Sequence, residues 1–459
     1  MPLGPTACEG FHAIQVCSAE ILLKLTISNK LGQSFRWREH RYRGLSTLSK
    51  DSPDPPAAGP TFDSEWSLCL DDRVVVLRQE TSTHQIWYKT LLPGAISPSV
   101  AHVEGTERWL RDYLNLDVPL ERLYESWSEK DPVFGKLAGR FKGIRMLRQD
   151  PWECLVSFIC SSNNNIARIG QMVQNLCTHF SPRLMTLLHY SPDDAGLKEE
   201  VHYHPFPPPE ALAAEGVEMR LRELGFGYRA KYIAQTAQML CAAHGQLHSH
   251  DSKRHAKRPR KSHDDEAWVT SSSHASVAEY LESLRKMSYL DARQELIQFP
   301  GIGPKVADCI LLMSLDQPES IPVDRHVFAF AEKKYKIRSK KYEDIADQLR
   351  KLWGEYAGWA HSILFTADLR AFSTFQDEGY AKMDVTDGVT TSSPLGIEPV
   401  ARVKLEVEEE NKQSIPVKLE VKETATASLA HVAQSSNIES HYHVVKPRRA
   451  RNAAKGQSK

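Results

Sequence analysis

The apolar positions change their spacing along the chain. Over roughly the first 100 residues they form short alternating or continuous runs at Ile21–Ile27, Ser34–Arg38, Trp66–Leu70 and Arg73–Arg78, which predicts strands. A Pro/Asp/Ala-rich stretch at Ser49–Pro60 reads as a surface loop. From about Val103 the spacing becomes helical. Asp150-Pro151 is a helix start, with an N-cap carboxylate followed by proline in the first turn, and that helix runs to about Cys160. The polar break Ser161–Asn165 precedes a second helix to about Phe180, and Ser191–Pro209 reads as a Pro/His-rich loop. A helix from about Glu218 stops at Gly225-Phe226-Gly227, and another starts near Tyr228. Helices resume at Val277 after a polar segment, 244–273.

These elements predict an α+β protein. A β-rich domain covers 1–118, and a helical domain covers 119–375, interrupted by the polar basic insert 244–273. After about Gln376 the chain is rich in Val, Glu, Lys, Ser and Thr and poor in aromatics, so 376–459 is expected to be disordered.

Composition removes some classes. The 459 residues are 41% hydrophobic and 25% charged, as in a globular protein with a sizeable core. No apolar run approaches the roughly 18 residues of a membrane span. The N-terminal residues resemble neither a secretory signal nor a good transit peptide. Net charge is zero, which leaves nucleic acid open, because binding depends on where the cations sit. The eight cysteines form no C-x-x-C pair, so neither a zinc site nor a four-cysteine iron–sulfur cluster is expected, and no cofactor. Scattered thiols fit a reducing compartment.

The chemistry concentrates between Leu296 and His326. L-I-Q-F-P-G-I-G-P-K-V-A-D-C-I joins two helical patterns through a Pro-Gly-Ile-Gly turn. Gly301 and Gly303 lack a Cβ, so the turn can take positive φ and approach a phosphate, with N–H groups of the following helix aimed at the anion. A Gly-rich turn between helices without a ligand is the plain alternative. Lys305 sits in the first turn of the next helix, at the edge of an apolar stripe formed by Val306, Ile310 and Met313. The helix dipole and partial burial are expected to lower its pKa and leave some of the amine neutral, able to attack a sugar C1′. A lysine that only touches phosphate is the alternative. Asp324 precedes the helical run Arg325–Lys334 and reads as its N-cap. As a carboxylate near C1′ it would also stabilise oxocarbenium-like charge.

The two segments F-P-G-I-G-P-K-V-A-D-C-I and I-P-V-D-R-H resemble the helix–hairpin–helix DNA glycosylases that use a lysine and an aspartate. Gly32–Glu39 (G-Q-S-F-R-W-R-E), Arg148–Ile169, Leu224–Tyr232 and Trp353–Ala360 narrow the resemblance to the eukaryotic 8-oxoguanine DNA glycosylase/lyases, over about Ala19 to Ala371. The resemblance implies an antiparallel, TATA-binding-protein-like sheet joined to two helical subdomains. It implies Lys305 as nucleophile and Asp324 as catalytic carboxylate. Gly32 would offer its carbonyl to the N7–H of 8-oxoguanine, Phe365 and Cys309 would sandwich the base, and Pro322 would line the pocket. Asn163, Arg168 and Arg229 would read the orphaned cytosine, Tyr228 would wedge into the stack, and His326 would touch a phosphate, oriented by Asp368. Gly301 and Gly303 would meet the DNA backbone.

Two positions depart from the family's pattern. His361 stands where the family has Gln, on one helix face with Phe365 and Asp368 at i, i+4 and i+7. A Gln amide offers donor and acceptor together, whereas a neutral His presents one of each on different ring edges. Arg325 replaces a usual apolar residue and would add a phosphate contact.

The resemblance implies excision of 8-oxoguanine opposite cytosine in duplex DNA, followed by β-elimination, by a monomer acting in the nucleus, with the mitochondrion as a second location. Two other readings stay open: a glycosylase for other purine lesions, and a non-enzymatic helix–hairpin–helix DNA-binding protein. Lys253–Lys261 and Lys446–Arg451 are basic clusters that suit nuclear import or DNA contact. V-K-L-E occurs twice and marks Lys404 and Lys418 as candidate SUMO sites.

Overall fold

The computed structural model describes residues 10–16, 20–28, 30–41, 64–80, 85–190, 198–244 and 276–368. The Ser49–Pro60 loop, the basic insert beyond His244, both basic clusters, the V-K-L-E repeats and the tail lie outside the described residues; His244 itself ends a helix.

Among the described residues seven strands form one antiparallel sheet: β1 His12–Gln15, β2 Arg38–Arg41, β3 Ser64–Cys69, β4 Val74–Glu80, β5 Gln85–Leu91, β6 Met185–Tyr190 and β7 Lys198–Tyr203, in the order β1-β5-β4-β3-β2-β6-β7. The β3–β4 turn closes with the Leu70 N–H donating to the Arg73 carbonyl at 2.8 Å, and Asp71-Asp72 sit at its tip. The run Val74-Val75-Val76-Leu77 is apolar at every position because both faces of β4 are covered. Val75 and Leu77 pack with Trp37, Tyr88 and Leu110, while Val74 and Val76 pack with Cys69 and Tyr203.

Three sequence expectations change here. Ile21–Ile27 is not a strand; Leu23–Thr26 forms one helical turn. The Gln79 side chain accepts from the Leu23 N–H at 2.7 Å and donates to the Ile21 carbonyl at 2.8 Å, doing for this buried run what a neighbouring strand would. The run Ser34–Arg38 reaches the sheet only at Arg38. Side-chain amides hold the segment before it: Gln33 donates to the Thr26 and Arg145 carbonyls at 2.7 and 3.0 Å, and Gln149 donates to the Gln33 carbonyl at 2.7 Å. The stretch Ser191–Pro209 contains β7, which pairs with β6 and extends the sheet.

The helices gather into two apolar clusters. One holds the helices Pro151–Ser161, Ile166–Phe180, Arg229–His244, Val277–Leu284, Tyr289–Ile297 and Pro304–Ser314. The other holds Leu120–Lys130, Pro132–Ala138, Arg325–Tyr335, Tyr342–Trp353 and Ala357–Asp368. Pro151–Ser161 starts as expected, with the Asp150 carboxylate accepting from the Glu153 N–H at 2.8 Å. Its Glu153 pairs with Arg36 at 2.6 Å and ties the N-terminal segment to the helices. The α+β class and the antiparallel N-terminal sheet are as expected.

Candidate active site

The helix Tyr289–Ile297 ends before the turn, and Pro304–Ser314 begins after it. Gly301 has φ +84°, and a Cβ there would lie 2.5 Å from Tyr232 Cδ2. Both backbone and space therefore demand glycine at that position. Gly303 differs from expectation: its φ is −97°, open to any residue, and a Cβ would meet nothing within 4 Å. No side chain caps the helix it precedes, so its first-turn N–H groups have no side-chain acceptor and could receive an anion.

Lys305 enters a cavity of about 640 Å³ shared with Gly32, Cys309, Pro322, Asp324, His326, His361 and Phe365. The two helical clusters and the N-terminal segment all contribute to its wall. Gly32 has φ +79° and lies against Ile166, whose Cδ1 would be 3.2 Å from an added Cβ. Cys309 and Pro322 are buried, and Phe365 is half-buried.

Asp324 caps Arg325–Tyr335 as the sequence predicts, its Oδ1 accepting from the His326 and Val327 N–H groups at 2.8 and 3.0 Å. Both cap bonds fall on one oxygen, and the residue still lines the cavity. His326 is exposed, and its Nε2 accepts from Arg325 Nε at 3.2 Å. Arg325, the departure from the family pattern, is thus engaged with its neighbour. Asp368 ends its helix, and its side chain lies outside the described residues.

The amine of Lys305 does not follow expectation. Burial pushes its pKa down, but the negative forms of Cys309, one helical turn on, and of Asp324 outweigh burial, so the value is raised. Burial in turn pushes the Cys309 thiol up, against the pull of Lys305. The resting amine is therefore an ammonium that must lose a proton before it can attack. The sequence places the helix dipole beside Lys305 but hides these partners. The Phe158 ring also underlies the site, 5.7 Å from Lys305 Nζ. Phe158 escaped the sequence reading because it belongs to a helix apolar at nearly every position.

His361 is buried, and neither of its ring nitrogens has a hydrogen-bond partner. Burial holds its pKa down at about 4, with Asp324 opposing and Lys305 reinforcing the shift.

The residues assigned to cytosine reading meet at one edge of the cavity. Asn163 is exposed with φ +48°, an uncommon backbone for a residue other than glycine. Arg229 gives its N–H groups to the Ser162 and Asn163 carbonyls, and its guanidinium stacks 4.5 Å from the Tyr228 ring. The Tyr228 hydroxyl donates to the Ser162 carbonyl at 2.9 Å. Arg168 is exposed and donates to the Gly225 carbonyl at 3.1 Å. Asn165 caps the next helix through the Arg168 N–H. Among the described residues no group of three or more His, Cys, Asp and Glu is gathered as a metal ion would need, and no helix is long and apolar enough to cross a membrane.

Residues 13–155 match the 8-oxoguanine DNA glycosylase N-terminal domain, and residues 156–355 match the HhH-GPD superfamily of base excision DNA repair proteins. The N-glycosylase/DNA lyase of Saccharomyces cerevisiae is 32% identical, over 86% of this chain and 93% of the yeast protein. This chain belongs to the 8-oxoguanine DNA glycosylase family. The N-glycosylase/DNA lyase OGG1 of Arabidopsis thaliana is 33% identical, over 80% of this chain and 83% of the plant protein. The fold is that of the Clostridium acetobutylicum 8-oxoguanine glycosylase/lyase solved with double-stranded DNA containing cytosine opposite 8-oxoG. That likeness has TM-score 0.52 and 24% identity, over 75% of this chain and 91% of the bacterial one. In this 8-oxoguanine DNA glycosylase family member the helix that follows the hairpin brings Lys305 into the cavity that Asp324 also lines.

Proposed function

We propose that this protein is a bifunctional DNA glycosylase and lyase that removes 8-oxoguanine opposite cytosine and then cleaves the strand. The observation that carries this reading is the convergence of Lys305 and Asp324, from two helices, on one cavity beside a glycine turn open to an anion. The hairpin and the exposed Asn163, Arg168 and Tyr228 hold the duplex, and the damaged nucleotide swings out into the cavity. Asn163, Arg168 and Arg229 read the orphaned cytosine, and Arg229 also braces the loop through the Ser162 and Asn163 carbonyls.

Inside, Gly32 accepts a hydrogen bond from N7–H, a donor that guanine lacks. A mispaired buried acceptor costs roughly 1–3 kcal/mol, enough to favour the lesion. Cys309 and Phe365 bracket the ring, and Pro322 closes the wall. Lys305, once deprotonated, attacks C1′. The C1′–N9 bond breaks, and the base leaves with the electron pair and takes up a proton. The Asp324 carboxylate stabilises positive charge on the sugar. Ring opening leaves an imine between Lys305 and C1′. Loss of a C2′ proton then expels the 3′-phosphate, and water frees the lysine.

Residues 1–118 supply the β-rich domain, 119–375 the helical domain with both catalytic groups, and 376–459 a tail. The protein acts as a monomer on duplex DNA in the nucleus, where its two basic clusters would carry it; the mitochondrion is a second location.

Borohydride reduction of the enzyme on an 8-oxoguanine:cytosine duplex tests the reading. A covalent complex is expected with the wild type and none with Lys305→Gln. Full-rate excision and nicking by Lys305→Gln would overturn it.

A further inference from the structure

The lysine and the carboxylate of the cavity belong to different apolar clusters. The helix of Lys305 packs mainly in one, and the helix that Asp324 caps packs in the other. The cap bonds fix the Asp324 carboxylate to its own helix and leave its distance from Lys305 open. That distance depends on what crosses between the clusters behind the cavity.

Tyr342 crosses there, and it does not line the cavity itself. Its hydroxyl donates to the Asp308 carboxylate, one turn after Lys305 on the same helix. The same oxygen accepts from the N–H of Val323, the residue before Asp324, at 3.1 Å. Burial and the Asp308 charge push the hydroxyl's pKa up, so it stays a donor. Donation to a carboxylate makes the phenol oxygen a better acceptor, so the two bonds support each other. Ser320 ties the same segment to the helix further back, donating to the Asp308 carbonyl at 3.0 Å. Tyr289 donates to the same carboxylate at 2.8 Å, but that bond ties Asp308 to the helix before the hairpin turn.

We propose that Tyr342 is a positioning residue for the reaction: its hydroxyl, bonded at once to Asp308 and to the Val323 N–H, sets how closely the Asp324 carboxylate approaches the Lys305 amine. This rests on the proposed function, in which the two groups act together on C1′. Cys309 and Asp324 both raise the Lys305 pKa. Cys309 rides on the lysine's own helix and keeps its place without Tyr342; Asp324 does not. Of the other titratable groups in the cavity, burial keeps His361 neutral, and Arg325 and His326 engage each other. Loss of the tie therefore leaves an amine that gives up its proton more easily and a carboxylate that serves C1′ less well.

Single-turnover excision from an 8-oxoguanine:cytosine duplex, by full-length wild type, Tyr342→Phe and Tyr289→Phe across pH, tests this. Each variant takes one hydroxyl from Asp308, so a role in satisfying that carboxylate alone moves both alike. Tyr342→Phe is expected to lower the high-pH plateau at least about fivefold below Tyr289→Phe, and up to roughly 100-fold for a shift near an ångström. Its rising limb, where Lys305 deprotonates, is expected at lower pH than in the other two proteins. Rate constants decide, because partial unfolding lowers the amplitude and leaves the rate constant. A plateau within about fivefold of Tyr289→Phe, a limb that does not move to lower pH, or a Tyr342→Phe too unstable to excise at all overturns the inference and leaves the proposed function standing. Absence of 8-oxoguanine excision by the wild type removes the proposed function and this inference with it.

Discussion

Two buried polar side chains, one on a helix that helps to line the cavity and one in the cavity wall itself, live in opposite circumstances. Asp308, fully buried on the hairpin's second helix, accepts from the Tyr289 and Tyr342 hydroxyls and from Ser320, and pairs with Arg293 at 3.2 Å. Burial raises its pKa against the pull of those same partners. The cluster ties Pro304–Ser314 to the helix before the turn, to the strand-like approach to Asp324, and to Tyr342–Trp353. Neither ring nitrogen of His361 has a hydrogen-bond partner. An unpaired buried polar group costs ~1–3 kcal/mol, so a fold keeps one only where something else uses it. The satisfied cluster fixes the geometry of Lys305 and Asp324; the unsatisfied ring waits for a ligand.

The comparison breaks first at Lys305. Lys305→Gln is expected to abolish imine trapping and to slow excision by roughly 10²–10⁴-fold, the scale of a lost catalytic group. Its melting temperature should change little, since the half-buried side chain is replaced by one of similar length that stays polar. Asp308→Ala should do the reverse, lowering stability by about 3–5 kcal/mol by stranding Arg293, with the lower end favoured because Glu343 stays 2.8 Å from that guanidinium. Urea unfolding measures the loss. A loss under about 1 kcal/mol would mean that the cluster is not structural.

The sequence carried the helices and the hairpin well, because caps and glycines act locally. Asp150, Asp324 and Gly301 each do what their neighbours in the chain require. It carried the N-terminal strands less well. Ile21–Ile27 becomes a helical turn only because Gln79 serves its backbone from a distant strand. β7 was hidden because it is a polar, mostly exposed edge strand held by its pairing with β6. The cavity residues came from long motifs, but their electrostatics did not. The Lys305 pKa is raised against burial by Cys309 and Asp324, which the chain brings together only on folding.

Acid sharpens the contrast. The folded His361 pKa is lowered from 6.5 to about 4, so between those values the unfolded chain binds more protons. Stability therefore falls as pH drops through that window, by up to about 3 kcal/mol from this group. His40, also buried and held at about 4, adds a parallel loss, so the measurement is a difference. Unfolding free energies of wild type and His361→Gln should diverge as pH falls from 7 to 4, the wild type losing more. Parallel curves would mean that the ring is not held neutral.

The smallest effect is the most specific. At neutral pH His361→Gln should leave 8-oxoguanine excision at or above the wild-type rate, read in single-turnover assays. The substitution adds no charge to a cavity that excludes charge, and the amide can meet two adjacent atoms of the base edge where the imidazole meets one. Stability should change little at this pH, because an amide in the same place leaves its own polar atoms without protein partners. A drop in excision of more than about tenfold, the size of one lost hydrogen bond to the transition state, would mean that the ring has a role in the chemistry itself, and the division between a holding cluster and a waiting side chain would fail at the residue that defines it.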